Sequence, residues 1–317
     1  MNDHPSLLIV GTGALATLFA ARLSASGEQV TMLGTWQAGL EALRRHGARL
    51  SNADGSEQAF HVQVVDDPVA CRGAREALVL VKSWQTERAA VQLEACLGQD
   101  GVALTLQNGL GNHEILARVL GESRVALGMT TSGAILLAPG IARPGGEGVI
   151  TVERHPRLSP LDKILQAAGF IINFVEDAQS LLWGKLIVNA AINPLTALLQ
   201  IPNGELLERP AARDLMAQLA RESAQVAAAQ NIKLPFEDPV VAAEDVARCT
   251  AANRSSMFQD INRCAPTEID AICGAITRLG EQHGISTPVN RVCWQMVKSV
   301  VQGYYNLVRN RDKIPGE

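Results

Sequence analysis

The chain has 317 residues, of which 47% are hydrophobic, and a formal net charge of −4. That is enough apolar material for the cores of one large or two ordinary domains. The mildly acidic balance excludes the basic field that nucleic acid or an anionic membrane would favour, so neither is expected as a partner.

Leu7–Val10 reads as a short buried strand. It feeds Gly11-Thr12-Gly13-Ala14-Leu15-Ala16, a Gly-x-Gly-x-x-Ala turn that opens a helix over 14–26, closed near Gly27. Gly11 permits the tight turn, Gly13 lets a pyrophosphate approach the backbone, and Ala16 is small enough for helix and strand to pack closely. The helix start adds unpaired N–H groups and a positive dipole end, so these six residues form a candidate dinucleotide site. A strand over 29–33 and a helix over 36–46, closed by Gly47, come next. Residues 48–65 are polar and turn around Asp54-Gly55, as a β-hairpin insert would. Ala77–Val81 is a strand followed by a helix to about Leu97, and Val102–Leu106 is a strand followed by a helix from Asn112 to Leu120. Residues 125–155 suggest further strands and a hairpin. This alternation predicts an α/β domain over 1–176, a Rossmann-type doubly wound parallel sheet with helices on both faces.

The texture changes after Val175. Helical periodicity runs through Leu181–Leu199, Ala211–Gln230, Val240–Asn262, Glu268–His283 and Val289–Val308. Residues 177–317 are therefore expected to form an all-helical domain, with Arg309–Glu317 frayed. Two such domains would leave a cleft, where small-molecule sites commonly lie.

The first of these helices carries Lys185, Asn189 and Asn193 at four-residue spacing, with only apolar residues between them. At about 100° per residue they fall within an arc of roughly 80°. A surface helix would show a broad polar face, so this thin stripe points to a buried helix with one polar edge. Partial burial would lower the Lys185 pKa and make it a usable proton donor; pairing among these groups is the structural alternative. Pro194 is expected to bend or end the helix. Further on, Asn253, Ser256 and Asp260 share a helical face. Thr267 resembles an N-cap, which would put Glu268 in the first turn of a helix, under its dipole. Asn108 follows a strong strand, placed for nicotinamide or substrate, although Asn before Gly is also a common turn. Lys82 ends another strand and either contacts a cofactor phosphate or is solvated.

The cysteines Cys71, Cys96, Cys249, Cys264, Cys273 and Cys293 form no Cys-x-x-Cys pair and lie near no histidine at ligand spacing. No metal site is expected, and a reduced cytoplasmic protein is. The N-terminal apolar run is too short for a secretion signal, and no stretch reads as a bilayer span. Oligomeric state stays open between monomer and homodimer.

Together these segments resemble the ketopantoate reductase family (2-dehydropantoate 2-reductases). The most specific blocks are Lys185–Ala197, Pro202-Asn203-Gly204-Glu205-Leu206, Ser255–Ile261 and Thr267-Glu268-Ile269-Asp270. The resemblance implies reduction of ketopantoate to pantoate with NADPH, a step toward pantothenate and coenzyme A. It implies Lys185 as general acid and Glu268 as the carboxylate that orients lysine and substrate. It implies Asn189, Asn193, Asn253 and Ser256 as substrate contacts, Asn108 at the nicotinamide, and Lys82 near a cofactor phosphate. One departure concerns the cofactor: Thr35 stands where the family commonly carries an Arg for the 2′-phosphate, and no acid marks NAD there either. NADP is favoured by the resemblance, NAD stays open, and Arg44 or Arg45 could reach in. The alternatives are a paralogue acting on another 2-oxo acid, and a non-catalytic protein that senses nicotinamide nucleotides.

Overall fold

A computed structural model describes residues 7–52 and 54–311, with side chains as far as Gly303. Of the predicted fraying tail, residues 312–317 and the side chains from 309 lie outside the described residues. The chain forms two compact units. One comprises the chain to Gln107 together with Asn112–Ala178; the other comprises Asn108–Gly111 and the chain from Gln179.

In the first unit, β1 (Leu7–Val10) leads into α1 (Ala14–Ala25), β2 (Val30–Leu33), α2 (Gln37–His46), β3 (Ala48–Ser51), β4 (Glu57–Phe60) and β5 (Gln63–Val65). Then follow β6 (Ala74–Val79), α3 (Thr86–Cys96), β7 (Leu97–Thr105), α4 (Asn112–Leu120) and β8 (Val125–Thr130). The unit ends with β9 (Ala134–Ala138), β10 (Ile141–Pro144), β11 (Val149–Glu153), α5 (Ser159–Ala167) and β12 (Ile171–Val175). Eight strands form one sheet in the order β12-β11-β8-β7-β6-β1-β2-β5. It is parallel from β8 to β5, and β11 runs antiparallel to β8.

Strand β1 shows why the centre of the sheet reads as an unbroken apolar run. Leu7 and Ile9 enter the core that includes Phe19 of α1 and Leu161 of α5. Leu8 and Val10 enter the opposite core, with Leu93 of α3 and Leu116 of α4. Both faces of the strand are covered, so every position must be apolar. The chain goes from β1 to β2 on one side and later to β6 on the other, which makes the end of β1 a topological switch point.

The predicted hairpin at 48–65 forms as β3–β4. It does not stand alone, because β3 pairs parallel with β10, giving a second sheet ordered β4-β3-β10-β9. This small sheet packs on α1, whose other side meets the main sheet. Helix α1 is therefore apolar around most of its circumference.

The second unit contains α6 (Gln179–Leu199), α7 (Glu205–Glu208), α8 (Pro210–Ala229), α9 (Pro239–Cys249), α10 (Ser256–Asn262), α11 (Cys273–His283) and α12 (Pro288–Arg311). Helix α6 is its axis. Trp183, Leu186 and Ala190 enter one core with residues of α8, α10, α11 and α12, and Ile187, Ala191 and Leu195 enter another with residues of α8 and α9. By length and composition α6 could cross a bilayer, contrary to the sequence expectation, but most of it is buried within this unit.

Three local expectations need correction. Of the bend or end expected at Pro194, the end is not found, because α6 continues to Leu199. The hydroxyl of Thr196 reaches back 3.0 Å to the Ile192 carbonyl beside the proline. The span 240–262 is two helices, because residues 251–253 leave the helix to accept backbone hydrogen bonds from Asn203 and Gly204. Ser255 then caps α10, accepting from the Phe258 N–H at 3.1 Å. Lastly, α11 begins at Cys273, so Glu268 lies in a turn that precedes it rather than in a first helical turn.

Candidate active site

The glycine turn of the first unit has the shape a pyrophosphate needs. Gly11 has φ +132°, and a Cβ there would sit 3.1 Å from the Leu80 carbonyl carbon and oxygen. Its N–H donates to the Leu33 carbonyl at 2.8 Å, while Leu80 N–H donates to the Val10 carbonyl at 2.9 Å, so the turn is tied to both neighbouring strands. A Cβ on Gly13 would meet nothing within 4 Å, which leaves an open approach to the backbone. Gly13 caps α1 without a side chain, and Gly13, Ala14 and Leu15 are partly exposed, while Thr12 and Ala16 are buried. First-turn N–H groups and a small open cradle suit a dinucleotide phosphate.

Thr35 stands exposed just beyond β2. Gly34 before it lies against Thr12, whose Cγ2 would be 2.6 Å from an added Cβ. Sequence reading overlooked this glycine; its only signal was its place directly after a strand. Arg44, a candidate substitute for the missing arginine, already pairs with Asp66 at 3.2 Å and donates to the Val64 carbonyl. Arg45 is exposed on the same helix. Lys82 is half-buried at the start of a short turn after β6.

The second unit assembles the other candidates. Along α6, Leu181, Lys185, Val188 and Asn189 are the half-buried positions of an otherwise enclosed stretch, and Asn193 is 7% exposed. The polar edge is real but narrow. Burial pushes the Lys185 ammonium down to about 8 from 10.5, and Glu268 opposes that shift by stabilising the charged form. Glu268 itself is only 4% exposed, and its carboxylate accepts from Asn108 Nδ2 at 3.2 Å.

Asn108 belongs to a loop that docks onto the turn bearing Glu268. Leu110 N–H donates to the Ala271 carbonyl at 3.0 Å. Gly109 has φ +85°, and a Cβ there would lie 2.6 Å from both the Cβ and the carbonyl oxygen of Ala271. The Asn-Gly pair is thus more than a turn signal, since the glycine is required for contact and the asparagine reaches the carboxylate.

Ser256 and Asn253 are exposed, but they do not share a helical face. Asn253 precedes α10 and holds Asn203 N–H at 2.9 Å through its carbonyl. Gly204 presses on Ala251, and Asn203 Nδ2 donates to Thr250 Oγ1 at 2.9 Å. The Pro-Asn-Gly-Glu block therefore fixes the loop that carries Asn253. Asp260 is buried and pairs with Arg263 at 3.0 Å, a structural contact. Ser255, not singled out from sequence, ties α10 to α6 through Thr196 at 2.8 Å.

Comparison with known families accounts for both halves. The family model described as "Ketopantoate reductase PanE/ApbA" matches residues 7–157, and its C-terminal counterpart matches residues 177–301. The chain belongs to the ketopantoate reductase family. It is 36% identical to the 2-dehydropantoate 2-reductase of Archaeoglobus fulgidus, covering 93% of this chain and 97% of that one. It is 33% identical to the one from Halobacterium salinarum, covering 92% and 97%. A ketopantoate reductase structure from Ralstonia eutropha superposes with a TM-score of 0.87 at 30% identity, covering 94% of this chain and 99% of that chain. A D-mandelate dehydrogenase shares the fold, with a TM-score of 0.88 at 24% identity over 94% and 99%.

Proposed function

We propose that this protein reduces the keto group of 2-dehydropantoate to the alcohol of pantoate, in the biosynthesis of pantothenate, with Lys185 as the proton donor. The observation that carries this reading is a half-buried lysine, depressed to about 8 by burial, that lies in the field of the buried Glu268 carboxylate. Family membership supplies the substrate class. Addition of hydride to a ketone builds negative charge on oxygen, and a positioned ammonium both stabilises that charge and quenches it by giving up a proton.

Reduced nicotinamide, when bound, supplies the hydride. The chain's own groups do the rest. Gly11, Thr12, Gly13, Ala14, Leu15 and Ala16 hold the dinucleotide phosphates on the first turn of α1, and Lys82 adds a cation. Lys185 Nζ delivers its proton to the substrate oxygen. Glu268 keeps the lysine charged until then and orients the substrate hydroxyl. Asn189, Asn193, Asn253 and Ser256 bind the substrate's polar groups, and of these Asn189, Asn253 and Ser256 are the more open. Asn108 holds the Glu268 carboxylate, and the family resemblance assigns it to the nicotinamide. NADPH is the favoured donor by family, and NADH is accepted, because the neutral Thr35 neither clasps a 2′-phosphate nor repels one.

The test is ketopantoate-dependent oxidation of NADPH and of NADH, beside a panel of other 2-oxo acids. Lys185→Ala should cut turnover about a hundredfold and leave NADPH affinity unchanged. Full activity in that variant refutes the acid assignment. Turnover of a different 2-oxo acid, with none of ketopantoate, refutes the substrate.

A further inference from the structure

Glu268 sits on no regular element. Its carboxylate is set by the turn 268–272, in which the N–H groups of Ala271 and Ile272 donate to the Glu268 carbonyl at 3.0 and 3.1 Å. The 108–111 loop grips this turn from one side, as described above. A second set of contacts grips it through Asp270. The Oδ1 atom of Asp270 accepts from Trp294 Nε1 at 2.7 Å and from Lys298 Nζ at 3.0 Å, both on α12. Arg278 of α11 donates to the Asp270 backbone carbonyl at 2.8 Å.

The indole that reaches Asp270 is itself held in place. Arg278 and Lys298 lie 5.5 and 5.4 Å from its ring centroid. Gly274, at the start of α11, lets the ring lie against that helix, since a Cβ there would stand 2.9 Å from Trp294 Cε2. Asp270 and Lys298 are exposed, so their ion pair adds little to overall stability. This arrangement spends two cations, an indole and a glycine on fastening one surface carboxylate two residues from Glu268.

We propose that Asp270 is a positioning residue: by anchoring the turn to Trp294 and Lys298, it holds the Glu268 carboxylate where it acts on Lys185. This rests on the reading of Lys185 and Glu268 given above. Glu268 is the charged group whose field reaches Lys185. When the Asp270 side chain is lost the turn gives up its hold on α12 and keeps the Arg278 contact to its backbone and the 108–111 loop, and the carboxylate moves away from the ammonium. The lysine then keeps its burial and loses part of its compensation.

The experiment is an NMR titration of the Lys185 side chain in ¹³Cε-lysine-labelled protein, assigned with Lys185→Arg and run without cofactor or substrate. In the natural chain Lys185 should titrate near 8. Glu268→Gln sets the limit, with burial alone, about one pH unit lower. Asp270→Ala should move Lys185 roughly halfway to that limit. Asp270→Asn keeps an oxygen for the Trp294 N–H and should stay with the natural chain. Gly274→Ala, which displaces the indole instead, should give the same downward move if Asp270→Ala does not fold. The proposal is overturned if Asp270→Ala, or Gly274→Ala in its place, titrates with the natural chain while Glu268→Gln shifts. A natural Lys185 near its ordinary 10.5, or one unmoved in Glu268→Gln, removes the reading of the site and this proposal with it.

Discussion

Replacing Lys185 by Met should make the protein far slower and more stable at once. The ammonium is depressed from 10.5 to about 8 chiefly by burial, against the pull of Glu268. At about 1.4 kcal/mol per pH unit, that is a cost of about 3 kcal/mol for keeping the lysine charged in the folded state. Partial exposure of the side chain reduces it to about 2 kcal/mol. The sign with pH is fixed by linkage. Below pH 8 both folded and unfolded chains hold the proton, and the full cost is present. From 8 to 10.5 only the unfolded chain holds it, so the natural protein gains stability as pH rises. Methionine has nearly the same length and no charge, so its advantage is largest at pH 7 and gone above 10.5. Calorimetry at both pH values measures the difference, and turnover should fall by about 10²–10⁴ in the same variant. Equal or lower stability at pH 7, or an advantage that persists at high pH, would refute the claim that burial depresses this lysine.

Three other outcomes are expected. Gly109→Ala forces a Cβ into Ala271 at a φ of +85°, so it should destabilise the second unit by about 1–3 kcal/mol and lower kcat by pulling Asn108 from Glu268; an unchanged kcat contradicts the proposed role of that contact. Thr35→Arg adds a guanidinium at the exposed end of β2 and should tighten NADPH about tenfold, with NADH unaffected, as read by fluorescence titration. In maleimide labelling of the native protein, the exposed Cys249 and Cys264 should react first. Burial pushes Cys71 and Cys293 up to about 11, Cys96 to about 12 and Cys273 well above its ordinary value, so rapid labelling of those four would contradict the packing around them.

The chain's own order of residues determined a good deal. The glycine turn, the alternation of strands and helices before Val175 and the helices after it are local signals, because hydrophobic period and turn chemistry act over a few residues. The Lys185–Asn189–Asn193 stripe was legible for the same reason: a helix converts four-residue spacing into a shared edge. Tertiary structure alone decided what joins distant segments. Nothing local says that β3 pairs with β10, that residues 251–253 leave their helix for Asn203 and Gly204, or that the loop after β7 docks on the turn of Glu268. The position of Glu268 shows the limit most clearly. Its place directly after Thr267 imitated a helix start, yet backbone hydrogen bonds and the Asp270 anchor, paired with residues more than twenty positions away, hold it in a turn. Local propensity is worth tenths of a kcal/mol per residue, and a buried contact made by folding outweighs it.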